Sequence, residues 1–219
     1  NFNYEISEDE VTLVSGTCPT INTDLIIPQT VKHEDKDYSV TKIGPNAFQN
    51  CSTWTGKFNL PSTIVSIGLH SFYKCKSLIK LKASSNVAHQ LYTHSLAFST
   101  GEKVQKDQQE SARLCKLSAD NGDTLAMYNY AVMLEKGIGT NPKMKDAFLY
   151  YKKAAEKGEI NSMYRYACML ENGEETEKKP NEALQFYKLA AEKGHLESIC
   201  RYAYIFDNGI GTPENKEEA

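Results

Sequence analysis

From Tyr38 to Gly101 the chain contains no aspartate or glutamate, while Lys42, Lys57, Lys74, Lys76, Lys80 and Lys82 all fall there. Two readings fit that imbalance. A lysine edge discourages strands from pairing with other chains, and a lysine patch can dock an acidic partner or a glycan. Acid elsewhere brings the 219 residues to a net charge of −3, which argues against a nucleic-acid binder. No apolar run approaches the roughly 18–20 residues that a membrane-spanning helix needs. A charged segment leading into an apolar one, as in a secretory leader, is not seen at the N-terminus. The chain begins at Asn1 rather than Met and stops in mid-pattern, so it is expected to be part of a longer one.

Cysteine is scattered. Cys18, Cys51, Cys75, Cys115, Cys168 and Cys200 form no CxxC pair and have no zinc-site spacing. A catalytic constellation is missing too. The closest histidines, His89 and His94, are five residues apart, which does not place both on one helix face. Gly137-Ile138-Gly139 lacks the flanking strand and third glycine of a phosphate loop. No enzyme, metal or cofactor is therefore expected.

What the chain does contain is repetition. Tyr151–Gly158 reads YKKAAEKG and Tyr187–Gly194 reads YKLAAEKG, a step of 36. Gly122, Gly158 and Gly194 keep that step, as do Tyr130, Tyr166 and Tyr202, and Ala131, Ala167 and Ala203. A fixed period of this size marks a stack of like units. Ala147, Tyr150, Tyr151, Ala154 and Ala155 form one helical stripe, and Met127, Tyr130, Ala131 and Leu134 another. Glycine after the last turn predicts a left-handed helix terminus at Gly158. The octet thus reads as the end of a packing helix.

The run AMYNYAVMLEKGIGTNPKMKDAFLYYKKAAEKG resembles a Sel-one-like repeat, a relative of the tetratricopeptide repeat built from antiparallel helix pairs, over about Gln108–Ala219. In the middle unit Glu175 stands where its neighbours have Gly139 and Gly211, so that loop is expected to differ in shape.

The N-terminal half has another period. IGPNAFQNC (Ile43–Cys51) recurs as IGLHSFYKC (Ile67–Cys75), 24 residues on. Coils stacked at strand spacing, about 4.8 Å, would place Ile43 over Ile67, Phe48 over Phe72 and Cys51 over Cys75. Cys51 and Cys75 are expected as stacked free thiols, with a disulfide between them as the alternative. LIIP, FNLP and LKAS read as short strands, YEISEDEVTLV as a capping hairpin, and KHEDKDYS as a surface loop. This stretch resembles the BspA-like leucine-rich repeat over about Asp24–Asn86. Between the halves, SNVAHQLYTHSLAFSTGEKVQKDQ obeys neither period and reads as cap and junction, with a break at Gly101.

The expected fold is an α+β repeat protein: a short β-rich leucine-rich-repeat solenoid, then an all-α solenoid of antiparallel helix hairpins. The expected divisions are a leucine-rich-repeat domain at 1–88, a cap or junction at 89–107 and helical repeats at 108–219. Such surfaces suit macromolecular binding better than catalysis. The Sel-one-like resemblance implies a scaffold or adaptor for other proteins; the BspA-like resemblance implies, as the alternative, an adhesin that binds host or matrix molecules. Stacked positions off the packed stripe, Asn129, Arg165 and Arg201 together with Tyr204, are the candidate contact residues of the helical part. Lys74, Lys76, Lys80 and Lys82 are those of the β-rich part. The partners are expected to be proteins and not nucleic acid. The cytoplasm is the first expectation for location and the cell surface the alternative.

Overall fold

In the computed structural model the described residues are 2–7, 10–16, 24–52, 58–75, 78 and 81–208. They fall into two compact units, 1–126 and 127–219.

In the first unit, β1 (Phe2–Ser7) and β2 (Glu10–Gly16) form the expected antiparallel hairpin. β3 (Leu25–Ile26), β6 (Phe58–Asn59) and β8 (Leu81–Lys82) pair in parallel, one strand per coil. β5 (Lys36–Ile43) pairs in parallel with β2 on one side and with β7 (Ser66–Ile67) on the other, with Ile43 opposite Ile67. The rings of Phe48 and Phe72 stack 5.8 Å apart at 2°. Coil stacking leaves no room at Gly68: a Cβ there would lie 2.3 Å from the Pro45 nitrogen of the coil before. The glycine of the IG pair is required by this close approach of backbones.

Two expectations fail here. KHEDKDYS is no plain loop: β4 (Thr30–His33) pairs antiparallel with β5. Glu34 and Asp35 turn the chain with φ of 47° and 64°, the doubly left-handed geometry that suits a two-residue hairpin. The stacked cysteines are also not alike. Cys75 carries a free thiol that donates to the Phe48 carbonyl at 2.8 Å, whereas Cys51 is disulfide-bonded. Cys75, Cys115, Cys168 and Cys200 are free, and Cys18 lies outside the described residues.

The stretch expected as a cap and junction holds a helix that pairs with the first helix of the stretch expected as helical repeats. α1 (Ser85–Thr100) starts on Ser84, which accepts from the Val87 amide, and ends at Gly101 with φ 83°. α2 (Gln108–Asp120) starts on Asp107, which accepts from the Glu110 amide. The Ser118 hydroxyl donates to the Ala88 carbonyl at 2.6 Å, and that of Ser95 to the Ser111 carbonyl at 2.9 Å, so buried serines let the two helices approach closely.

This hairpin closes the coil stack. Val87, Leu91, Phe98, Leu114 and Leu117 share one hydrophobic core with the coils. Three side chains complete backbone edges that the last coil would otherwise leave bare. Gln90 accepts from the Ile67 amide and donates to the Val65 carbonyl, both at 2.8 Å. Asn121 accepts from the Ala83 amide at 2.7 Å and donates to the Leu81 carbonyl at 2.6 Å. Arg113, paired with buried Glu110, donates to the Phe72 carbonyl at 2.6 Å. Each amide imitates the next strand, which removes an open sheet edge.

In the second unit the helices are α3 (Thr124–Lys136), α4 (Met144–Glu156), α5 (Ile160–Asn172), α6 (Pro180–Glu192) and α7 (Leu196–Asp207). The predicted stripes are buried: Ala131, Ala147, Ala154, Ala167, Ala183 and Ala190 are fully inaccessible. Alanines at the crossings bring the helices close, and the rings of Tyr151, Tyr166 and Tyr187 fill the space between them. Gly158 has φ 94° and Gly194 φ 86°, the expected left-handed termini.

The middle loop, expected to differ, does not. Glu175 takes φ 58° where Gly139 takes 67°. The Glu174 amide donates to Met169 as Ile138 does to Met133, both at 2.9 Å, so the bonds around the turn hold its shape whichever residue occupies it.

Candidate interaction surface

The first helices of the repeats, α3, α5 and α7, share one face. A cluster recurs there at the 36-residue step. Glu135, near the end of α3, accepts from the Tyr151 hydroxyl of α4 at 2.6 Å and from two nitrogens of Arg165 on α5 at 2.8 and 3.2 Å. One repeat later Glu171 accepts from the Tyr187 hydroxyl at 2.8 Å and from Arg201 on α7. Each glutamate therefore ties both helices of its own repeat to the first helix of the next. Arg165 also reaches Glu174 at 2.9 Å.

Electrostatics follow from this arrangement. Burial pushes the Glu135 and Glu171 carboxyls up, but hydrogen bonds from the arginine and the tyrosine more than offset it, and both stay below the usual carboxylate range. The Tyr151 and Tyr187 hydroxyls are held well above the usual phenol range, first by burial and then by their hydrogen-bonded partners.

The expected contact residues are placed as follows. Arg165 and Arg201, expected to project from the packed stripe, are tied up in these clusters, their side chains only 25% and 42% exposed. Each arginine therefore also holds one repeat to the next, and removing it would loosen the repeat stack. Asn129 is half-buried on α3. Tyr204 is exposed on α7, with the Arg201 guanidinium 5.2 Å from its ring centre. In the first unit Lys74 is exposed with its ammonium 5.1 Å from the centre of the Tyr73 ring, and Lys82 is exposed on β8 beside Asn59. Lys42 pairs with Glu10, so an acid from the capping hairpin answers part of the lysine-only stretch. Lys76 and Lys80 lie outside the described residues.

Sequence reasoning named Arg165 but did not single out the tyrosines of the groove beside the cluster. A cavity of about 300 Å³ runs across α3, α5 and the start of α7, lined by Tyr128, Val132, Lys136, Tyr164, Arg165 and Glu197 among others. Tyr128 and Tyr164 sit one repeat apart, a signal present in the sequence at the 36-residue step. A second cavity of about 440 Å³ lies along α7 between Tyr164 and Tyr204. Beside it Ile199 is 43% exposed where its equivalent Met163 is 4% exposed.

Among the described residues no group of three metal-ligating side chains occurs, and no helix is long and apolar enough to cross a membrane.

Comparison with known proteins agrees with this layout. A family model of the BspA-type leucine-rich repeat region matches residues 28–106, and the Sel1 repeat model matches 124–159, 160–195 and 196–219. The chain joins a BspA-type leucine-rich repeat region to Sel1 repeats. α2 falls between the two sets of matches. Among solved structures, the Sel1 repeat protein from Oxalobacter formigenes is similar at 26% identity and TM-score 0.56, over 58% of this chain and 53% of that one. A protective antigen present in uropathogenic Escherichia coli strains, displaying an SLR fold, is similar at 27% identity and TM-score 0.54, over 59% of this chain and 28% of that one. The chain thus spans about half the length of the first and just over a quarter of the second. No curated protein matches it. Both repeat families generally mediate protein–protein interaction and are typically non-catalytic.

Proposed function

We propose that the chain is a non-catalytic scaffold or adaptor whose first-helix face of the Sel1 repeats contacts a partner protein. One observation carries this reading. The groove across α3 and α5 presents tyrosines at one-repeat spacing beside an arginine already held by two carboxylates. Tyrosine supplies large contact area at low entropic cost, and a fixed ion pair keeps the floor from rearranging. Arg165 and Arg201 then act by positioning this face, with Tyr204 at its far end and Asn129 at its near end. Lys74 and Lys82 form a separate candidate surface on the leucine-rich repeats.

The test compares affinity capture by wild type, by Val132→Arg, which fills the groove, and by Lys74→Glu with Lys82→Glu. The reading expects loss of a specific partner with Val132→Arg at unchanged melting temperature. Capture untouched by Val132→Arg would remove the groove from consideration.

A cell-surface adhesin is the second reading, and the Cys51 disulfide favours it, because disulfides persist in oxidising compartments. The antigen from uropathogenic strains is consistent with that setting. Antibody labelling of intact source cells, with permeabilised cells as control, separates the two: signal only after permeabilisation excludes the surface reading.

A further inference from the structure

We infer that the groove across α3 and α5 recognises a segment carrying a single basic side chain among apolar residues; this rests on the interaction reading above. The charges point that way. The groove's lining carries two carboxylates, Glu135 and Glu197, and the cations Arg165 and Lys136. That arginine is already neutralised by Glu135 and Glu174, which leaves it little net charge to attract an acidic ligand. At the α7 end Glu197 is 67% exposed, touched by His195 Nε2 at 3.6 Å, and left with most of its hydrogen-bonding capacity for a ligand.

The walls suit a cation as well. Tyr128 and Tyr164 line the groove on either side, and ring faces attract ammonium and guanidinium groups. The carboxylates of Glu159 and Glu135 add to burial in raising the Tyr128 hydroxyl, the effect of a locally negative environment. Val132 gives the floor an apolar patch, and Lys136 lines the same groove at the C-terminal end of α3. Lys136 repels a second cation at that end, which limits the segment to one basic residue, bound near Glu197, with apolar neighbours over Val132.

The test is selection of phage-displayed random nine-residue peptides on the immobilised chain. Enriched peptides are expected to carry lysine or arginine in excess of aspartate and glutamate. Their affinity should fall at least about tenfold with Glu197→Lys, fall less with Glu197→Gln, and weaken as salt rises. Neutral or acidic peptides that Val132→Arg displaces would overturn this inference and leave the interaction reading standing. Failure to enrich any peptide sensitive to Val132→Arg would count against both.

Discussion

Replacing Glu175 by glycine should stabilise the helical repeats. A left-handed backbone costs an ordinary L-residue about 1–2 kcal/mol, and Glu175 holds φ 58°. Glycine adopts that region freely but loses about 0.5–1 kcal/mol more conformational entropy on folding. The difference leaves a gain of about 0.5–1 kcal/mol. Glu175 is exposed and lies between Glu174 and Glu177, so its removal forfeits no packing and relieves like-charge repulsion. For a domain of 60–100 residues about 1 kcal/mol moves the melting temperature by about 4–8 °C, so a rise of a few degrees in far-UV circular dichroism is expected. The reciprocal control is Gly139→Ala, which places a Cβ at φ 67° and, net of the same entropy difference, should lower stability by about 0.5–1 kcal/mol. Glu175→Gly neutral or destabilising, together with a silent Gly139→Ala, would refute the reasoning.

Arg165→Ala should lower the melting temperature, since it leaves Glu135 and Glu174 without their cation at a loss of about 1.5–3 kcal/mol; Asn129→Ala, with no charge to strand, should cost less. His94 gives a pH dependence: burial first, and then the charge of His70, depress it to about 4 from 6.5. The unfolded chain therefore takes up that proton first, and stability is lost as pH falls from 6.5 towards 4, by on the order of 3 kcal/mol. His94→Gln should flatten urea midpoints across that window, leaving the losses at Glu135 and Glu171 for lower pH; an unchanged slope would exclude His94 as the cause. Alkylation under denaturation without reductant should label four thiols, and six after reduction. Six without reductant would remove the Cys51 disulfide. In the native protein Cys200 should react first, because burial pushes the Cys75 thiol up to about 11 and the Cys115 thiol up to about 12.

Much of this architecture was legible in the sequence because identical residues recur where packing demands them. Alanine at the helix crossings and glycine at the left-handed termini leave little choice of residue. The pairing of α1 with α2 escaped because its signals are geometric. Gly101, Gly137 and Gly173 keep the 36-residue step with φ of 83°, 70° and 76°. Lys103, Gly139 and Glu175 follow at 62°, 67° and 58°. The amides of Asp107, Lys143 and Lys179 donate to the carbonyls of Phe98, Leu134 and Leu170 at 3.0, 2.9 and 2.9 Å. α1 and α2 therefore repeat the turn of the Sel1 hairpins. Ser95 in place of the core alanine and Lys103 in place of glycine hid the register, since backbone geometry survives substitutions that letters do not.

The candidate surface was half legible for a related reason. Periodicity located the Arg165 and Arg201 column, but whether an arginine faces a partner or a glutamate depends on residues 30 positions away, at Glu135 and Glu171. At the corresponding place one repeat earlier, Ser99, Cys115 and Asn129 stand for glutamate, tyrosine and arginine. Nothing in that trio carries charge, so the ion-paired cluster belongs to the later repeats.

The most direct test of the central claim is site-specific photo-crosslinking in source cells, with a benzophenone amino acid at Val132 in the groove and, separately, at exposed Leu149 on α4. A discrete protein adduct at Val132 that is absent at Leu149 is the predicted result. Adducts at Leu149 alone, or the same adducts at both positions, would contradict a partner seated on the first-helix face.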